Sequence, residues 1–253
     1  MPLAKILTTW FGPEPDWYGH FTQQFQRFQS VHFDLIPPVD VRRLKVKKQL
    51  DWLNGLACRA TGTPCYKTDD SLCDLRPAFG EIFASLYDGY EWWGWCDADV
   101  CFGDLDKVLL PLLSNPSIDV INFKDHKLSG CLALFRNIPE TIRLYRSGKY
   151  REVFTDPRYC VWDEDEHHYF PGESFYKHLK ASALRMVHRP DLMLYDTRDY
   201  ARGSELQGRS VTVRLDNGRL LWTEADGSEG EALFYHFMSK EWPFRSDGSS
   251  RYS

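Results

Sequence analysis

Short apolar blocks alternate with amphipathic stretches through the first half of the chain. Residues 5–10 (KILTTW) read as an opening strand, closed by Gly12 and Pro13. Residues 16–28 place Tyr18, Phe21, Phe25 and Phe28 at spacings of three and four, the signature of one helix face. A second strand is expected over 31–36 and ends at Pro37-Pro38. Helical character returns over 41–58 and over 77–87, the latter opening with Pro77 at its first turn. Residues 92–96 (WWGWC) are apolar throughout, as in a central strand buried on both faces. Such alternation implies a mostly parallel sheet with helices on both faces, and ligands bind such sheets beyond the carboxyl ends of the strands.

The second half changes texture. Strands are expected over 118–123 and 130–136, and helices over 139–145 and 172–183. Residues 211–223 form a hairpin pattern around Asn217-Gly218, a pair suited to a two-residue turn that matches strand twist. A last strand, 232–236, ends in His236.

Composition narrows the class. At 253 residues, 43% of them hydrophobic and 15% aromatic, the chain suits one domain over 1–243, with 244–253 expected as a disordered tail. No apolar run reaches the roughly 18 residues of a membrane span, and the opening MPLAKILTTWFG turns polar too early for a secretory signal. A cytoplasmic protein is expected. The basic run Arg42, Arg43, Lys45, Lys47 and Lys48 reads either as a solvated helix face or as a contact for an anionic acceptor, a lipid-linked glycan at the inner membrane surface or a nucleic acid. The net charge of −5 argues against general nucleic-acid binding. Seven cysteines without a CxxC pair read as buried free thiols and give no support to zinc.

The chemistry concentrates at Asp97-Ala98-Asp99. In a strand or its extension, residues two apart share a side, so both carboxylates would face one cavity at the end of a buried strand. Two hard oxygen ligands suit Mn²⁺ or Mg²⁺, leaving positions for water or phosphate. The same Asp-x-Asp spacing recurs at Asp104/Asp106 and Asp163/Asp165, but only the first copy follows an apolar strand. The competing reading is an acidic turn ahead of a helix, for which Asp104 is a suitable N-cap. His236 could complete the shell of such a metal, and Lys240 could neutralise a diphosphate. Asp163 and Glu164 begin a second acidic cluster that runs to His167-His168. By their chemistry these two could act as a base, or could belong to a solvated loop.

The stretch CDADV followed by FGDL resembles the DxD metal-binding segment of GT-A-fold glycosyltransferases. The ending HFMSKEW is similar to the His-x-x-Gly-x-x-Lys-Pro-Trp ending of the glycogenin and lipopolysaccharide-galactosyltransferase group, with shorter spacing and without the glycine and proline. The order Tyr66-Lys67, CDLRPAFG from Cys73, the acidic pair, then SGCLALFRN from Ser129 also resembles small bacterial capsule and surface-polysaccharide sugar transferases. The resemblance implies an α/β, Rossmann-like GT-A mixed sheet with helices on both faces and a C-terminal β-hairpin. It puts Thr8 and Thr9 near the nucleoside, and Lys67, Asp74 and Arg76 near the ribose, phosphates or sugar. Asp97, Ala98 and Asp99 would line the donor and metal site, and Asp163 or Glu164 would face the acceptor or bind sugar hydroxyls. By its chemistry Arg76 could equally be a structural partner of Asp74. Gly130 either permits close approach of the sugar or simply forms a turn.

The expected function is metal-dependent transfer of a sugar from a nucleoside diphosphate, UDP foremost, to a hydroxyl acceptor. A glycan or lipid-linked glycan is the expected acceptor, and the His-plus-Lys ending leans towards retention of configuration. The alternatives are a glycosyltransferase acting on modified DNA bases, a metal-dependent nucleotidyltransferase, and a non-catalytic carbohydrate-binding protein using its tryptophans as stacking platforms.

Overall fold

The computed structural model describes residues 2–164, 173–196, 204–206, 209–237, 242–245 and 248–249. The chain is a mixed α/β protein with two sheets. β1 (Ala4–Thr9) pairs in parallel with β2 (Val31–Ile36) on one side and with β3 (Trp92–Cys96) on the other. The carboxyl ends of these three strands therefore share one end of the sheet. The chain then leaves for β4 (Val100–Phe102) and returns in β5 (Val120–Asn122), β6 (Leu132–Arg136) and β7 (Met186–His188). The first sheet runs β2-β1-β3-β6-β5-β7, with β6 antiparallel to both neighbours. The mostly parallel sheet expected from alternation is thus mixed. The reversal follows from β6 entering beside β3 without a crossover helix between β5 and β6.

β8 (Met193–Asp196), β9 (Ser204–Leu206), β10 (Arg209–Asp216), β11 (Arg219–Thr223), β12 (Glu229–Ala232) and β13 (Phe234–His236) build the second sheet with β4. Its pairings are antiparallel except β8 with β13. The expected hairpin forms with Asn217 and Gly218 at φ 48° and 80°, the left-handed pair that the tight turn requires. The single last strand divides at Leu233, whose N–H turns aside to the Leu192 carbonyl while its own carbonyl accepts from Gly103 N.

Burial explains the tryptophan-rich strand. Trp93 and Trp95 point into one core with Leu7, Phe79 and Phe135, whereas Trp92 and Cys96 point into the other with Ile6, Leu134 and Leu113. The strand is covered on both faces, so it carries no polar alternation. None of the nine tryptophans is exposed. Gly94 lets β6 approach, since a Cβ there would strike the Ala133 carbonyl.

The helices are more broken than their periodicity predicts. The 16–28 segment is an α-helix over Tyr18–Gln23 followed by a 3₁₀ turn, Gln24–Arg27. The expected helix over 41–58 becomes Val39–Arg42 and Val46–Thr61, divided where Gln49 turns its amide to the Arg42 and Leu44 carbonyls. The 77–87 segment becomes Phe79–Ile82 and Ala84–Leu86 behind a 3₁₀ run, Asp69–Ala78, that encloses Pro77. Among the described residues no helix is long and apolar enough to cross a membrane.

Candidate active site

Asp97 and Asp99 sit in the bend between β3 and β4, where the chain passes from one sheet to the other. The bend, rather than a prolonged strand, brings the carboxylates together, with Ala98 buried between them in the core. Backbone bonds pin both ends. Asp97 N–H donates to the Cys131 carbonyl at 3.0 Å, and Phe237 N–H donates to the Asp99 carbonyl at 3.1 Å. β13 lies antiparallel to β4 with His236 opposite Val100, so the imidazole arrives beside Asp99. His236 Nε2 stands 3.2 Å from Asp99 Oδ1 and 3.8 Å from Asp97 Oδ2.

One ligand atom from each of these three residues falls within 4.8 Å of the others. Two carboxylates and an imidazole form an oxygen-and-nitrogen donor set suited to Mn²⁺ or Mg²⁺. Both His236 separations lie under ~4.2 Å, the span of opposite ligands on an ion with bonds of about 2.1 Å. The residues therefore fit a divalent ion.

Arg76 organises the other side. Its guanidinium is buried and donates through Nη2 to Asp97 Oδ1, and through Nη1 to the Gly130 carbonyl at 2.7 Å and Asp163 Oδ2 at 3.4 Å. With Oδ1 held by Arg76, Asp97 turns Oδ2 towards His236. Arg76 thus partners Asp97 and Asp163, while Asp74 is taken by Lys67.

The Lys67–Asp74 pair is fully buried, with Nζ 2.7 Å from Oδ2. Lys67 Nζ also donates to the Arg158 carbonyl, and Asp74 accepts the N–H groups of Cys160 and Trp162 at 2.8 and 2.9 Å. Both charges are spent inside the protein, fastening the segment that leads into Asp163 and Glu164. Thr8, at the carboxyl end of β1, is buried and shares a 2.6 Å hydrogen bond with the Cys96 thiol; Thr9 is half-buried.

The two acidic residues after Trp162 have different surroundings. Asp163 is fully buried, and its Oδ1 finds no hydrogen-bond partner among the described residues. Burial pushes its carboxyl well above the usual range, Arg76 works against that, and Glu164 adds to it. Burial would raise Glu164 as well, but Lys124 and Lys127 outweigh it and hold the carboxylate ionised. Their ammonium groups lie 3.4 and 3.0 Å from Glu164 Oε2. Glu164 also rests directly over Gly130, where any Cβ would collide with its carboxylate. At the metal candidates, burial works to raise Asp99, but its contact with His236 holds it low. Burial opposes charge on His236, yet Cys131 and Asp99 keep its pKa well above the ordinary value.

A family model described as a family of unknown function (DUF6625) matches residues 6–252. The chain belongs to this family. No curated protein matches it. Among solved structures it is similar to a glycosyltransferase involved in the glycosylation of the major capsid of PBCV-1, at 13% identity and a TM-score of 0.43, over 77% of this chain and 86% of that one.

In this DUF6625 chain the site also gathers side chains that the sequence did not single out. Lys124 and Lys127 stand on the loop between β5 and β6, shaped by buried Asn122. The Asn122 amide donates to the Lys124 and Lys127 carbonyls and accepts from Ser129 N–H. Cys131 lies beneath His236 and hydrogen-bonds Ser129. A lysine-and-asparagine loop carries no motif, so only the sheet pairing of β5 with β6 could reveal it. Lys240, Asp165, Glu166, His167 and His168 lie outside the described residues. A concavity of about 580 Å³ beside β2, lined by Phe33, Trp52 and Phe83, shares no residue with the acidic cluster.

Proposed function

We infer that the protein is a metal-dependent glycosyltransferase of GT-A type, moving a sugar from a nucleoside diphosphate, UDP foremost, to a hydroxyl of a glycan. The observation that carries the reading is the convergence of Asp97, Asp99 and His236 at the carboxyl end of β3. Nucleotide ligands bind open α/β sheets at that end of the strands.

Asp97, Asp99 and His236 would hold Mn²⁺ or Mg²⁺. The bound ion would supply charge stabilisation to the departing diphosphate. Arg76 fixes Asp97 through Oδ1 and leaves Oδ2 facing the ligand set. Thr8 and Thr9, ending the strand next to β3, suit the nucleoside side. Glu164, kept ionised by Lys124 and Lys127 and seated over Gly130, is the carboxylate suited to sugar hydroxyls. Asp163, whose carboxyl burial pushes upward and Arg76 holds, suits a group that positions rather than one that takes a proton. The departing diphosphate can accept the acceptor's proton, so retention of configuration needs no further base.

The test is release of UDP from a panel of UDP-sugars with Mn²⁺, with Mg²⁺ and with a chelator, for the wild type and Asp99→Ala. Slow metal-dependent hydrolysis of one donor, lost in the variant, is expected. Equal nucleotide release in both proteins, or no metal-dependent nucleotide binding in either, would refute the reading.

A further inference from the structure

The segment that follows β2 carries a charge pattern opposite to that of the molecule. The chain has a net charge of −5, yet Arg43, Lys45, Lys47 and Lys48 fall within six consecutive positions and all are exposed. None of the four has an ion-pair partner among the described residues, whereas neighbouring Arg42 is engaged by Glu14 and the Tyr18 hydroxyl. The segment also exposes apolar side chains. Among the described residues, the large hydrophobic side chains that stand out as exposed are Val39 at 56%, Leu44 at 43%, Tyr66 at 59% and Leu110 at 45%. Val39 and Leu44 belong to the basic segment itself, whereas Tyr66 and Leu110 lie outside it.

Position adds a third observation. β2 and β3 run parallel on either side of β1, so residues 37–48 leave the sheet at the same end as Asp97 and Asp99. Two strand spacings separate those exits, roughly 10 Å. The loop after β1 also leaves at this end, with Gly12 lying against Val46.

We propose that residues 39–48 form a docking surface for an anionic lipid bilayer, holding the protein with the Asp97–Asp99 end of its sheet towards the membrane. Lysine and arginine are drawn to acidic headgroups, and exposed Val39 and Leu44 can enter the headgroup boundary. Bare phosphodiester binding would use the cations but gain nothing from Val39 and Leu44, so a bilayer fits better than a nucleic acid. The docking rests on this surface alone. Its use, presenting a lipid-linked acceptor to the site, rests on the glycosyltransferase reading.

The experiment is co-sedimentation of the full chain with vesicles of phosphatidylcholine alone, and with a third of the lipid replaced by phosphatidylglycerol. The wild type should bind the anionic vesicles only, and less at high salt. Each cation near such a surface contributes about fivefold in partitioning. The triple variant Lys45→Glu, Lys47→Glu, Lys48→Glu should therefore bind at least ~100-fold more weakly. Leu44→Asp should weaken binding severalfold, with the melting temperature unchanged in both variants. No preference for anionic vesicles, or binding unaffected by the triple variant, would overturn the proposal. So would binding to a DNA duplex, abolished by the triple variant, in a protein that ignores vesicles. Donor hydrolysis in solution is measured separately: its failure leaves vesicle binding intact as a result, and the reverse also holds.

Discussion

Replacing Asp74 with asparagine tests whether the Lys67–Asp74 pair holds the fold or waits for a ligand. Both side chains are fully buried, and their charged atoms lie 2.7 Å apart. Asp74→Asn keeps the shape but removes the charge, leaving Lys67 Nζ with the Arg158 carbonyl at 3.0 Å and the Cys160 sulfur at 4.0 Å. Breaking one partner of a buried pair costs about 3–5 kcal/mol. Against a total stability of about 5–15 kcal/mol, that is a large fraction. For a chain of this size it corresponds to a fall in melting temperature of roughly 6–20 °C. Asp74→Ala should be worse, because it also strands the N–H groups of Cys160 and Trp162, at about 1–3 kcal/mol each. Thermal and urea unfolding of both variants, with Lys67→Met completing a double-mutant cycle, measure these costs. An Asp74→Asn protein within about 1 kcal/mol of wild type, with its donor KM raised, would refute the structural role and return the pair to the donor.

Four further outcomes follow from the geometry. His236→Ala should lower Mn²⁺ affinity by more than the ~10–100-fold typical of losing an outer partner, read by titration calorimetry; unchanged affinity would remove His236 from the shell. Arg76→Lys should fall within that ~10–100-fold range, because an ammonium cannot bridge Asp97, Asp163 and the Gly130 carbonyl together. Gly130→Ala should destabilise by about 1–3 kcal/mol by driving a methyl group into Glu164, and Glu164→Ala in the same chain should restore stability. Asp119 receives the Arg185 guanidinium at 2.8 and 2.9 Å, and that contact holds its carboxyl below the usual range. A depressed carboxylate adds stability above its unfolded pKa, near 4, and loses it as pH falls through the lower folded value. The melting-temperature gap between wild type and Asp119→Asn should therefore be full at pH 6 and close in acid; a gap independent of pH would refute the assignment.

The strands were legible because their signals are local. Residues 31–36 and 92–96 emerge with the expected bounds, and Asn217-Gly218 forms its turn, since burial on two faces and left-handed φ angles leave direct marks on composition. Asp104 likewise caps the helix Leu105–Leu113 by accepting the Lys107 N–H. What periodicity could not give was pairing. β6 reads as an apolar run whichever way it points, so its antiparallel entry beside β3 was invisible, and with it the mixed sheet. β4 was hidden too, because three residues after an acidic bend carry no pattern of their own. Arg76 is the sharpest case. Its spacing from Asp74 suggests a local partner, yet the 3₁₀ run Asp69–Ala78 sends the two side chains apart, one to Lys67 and the other to Asp97.

That divergence bears on why the site is charged at all. Asp97, Asp99, Asp163 and Glu164 are drawn together at the end of β3, and the cations that meet them are Arg76, His236, Lys124 and Lys127. A fold selected only for stability gains little from such a cluster, because desolvating each charge costs several kcal/mol and apolar packing does as well or better. Lys67–Asp74 at least repays that cost by fastening two segments. The Asp97–Asp99 bend is already anchored by its backbone bonds to Cys131 and Phe237, and Arg76 takes only the Oδ1 of Asp97. Asp97 Oδ2 and Asp99 Oδ1, on side chains 24% and 29% exposed, face one imidazole and are the carboxylate oxygens that a ligand of positive charge would engage.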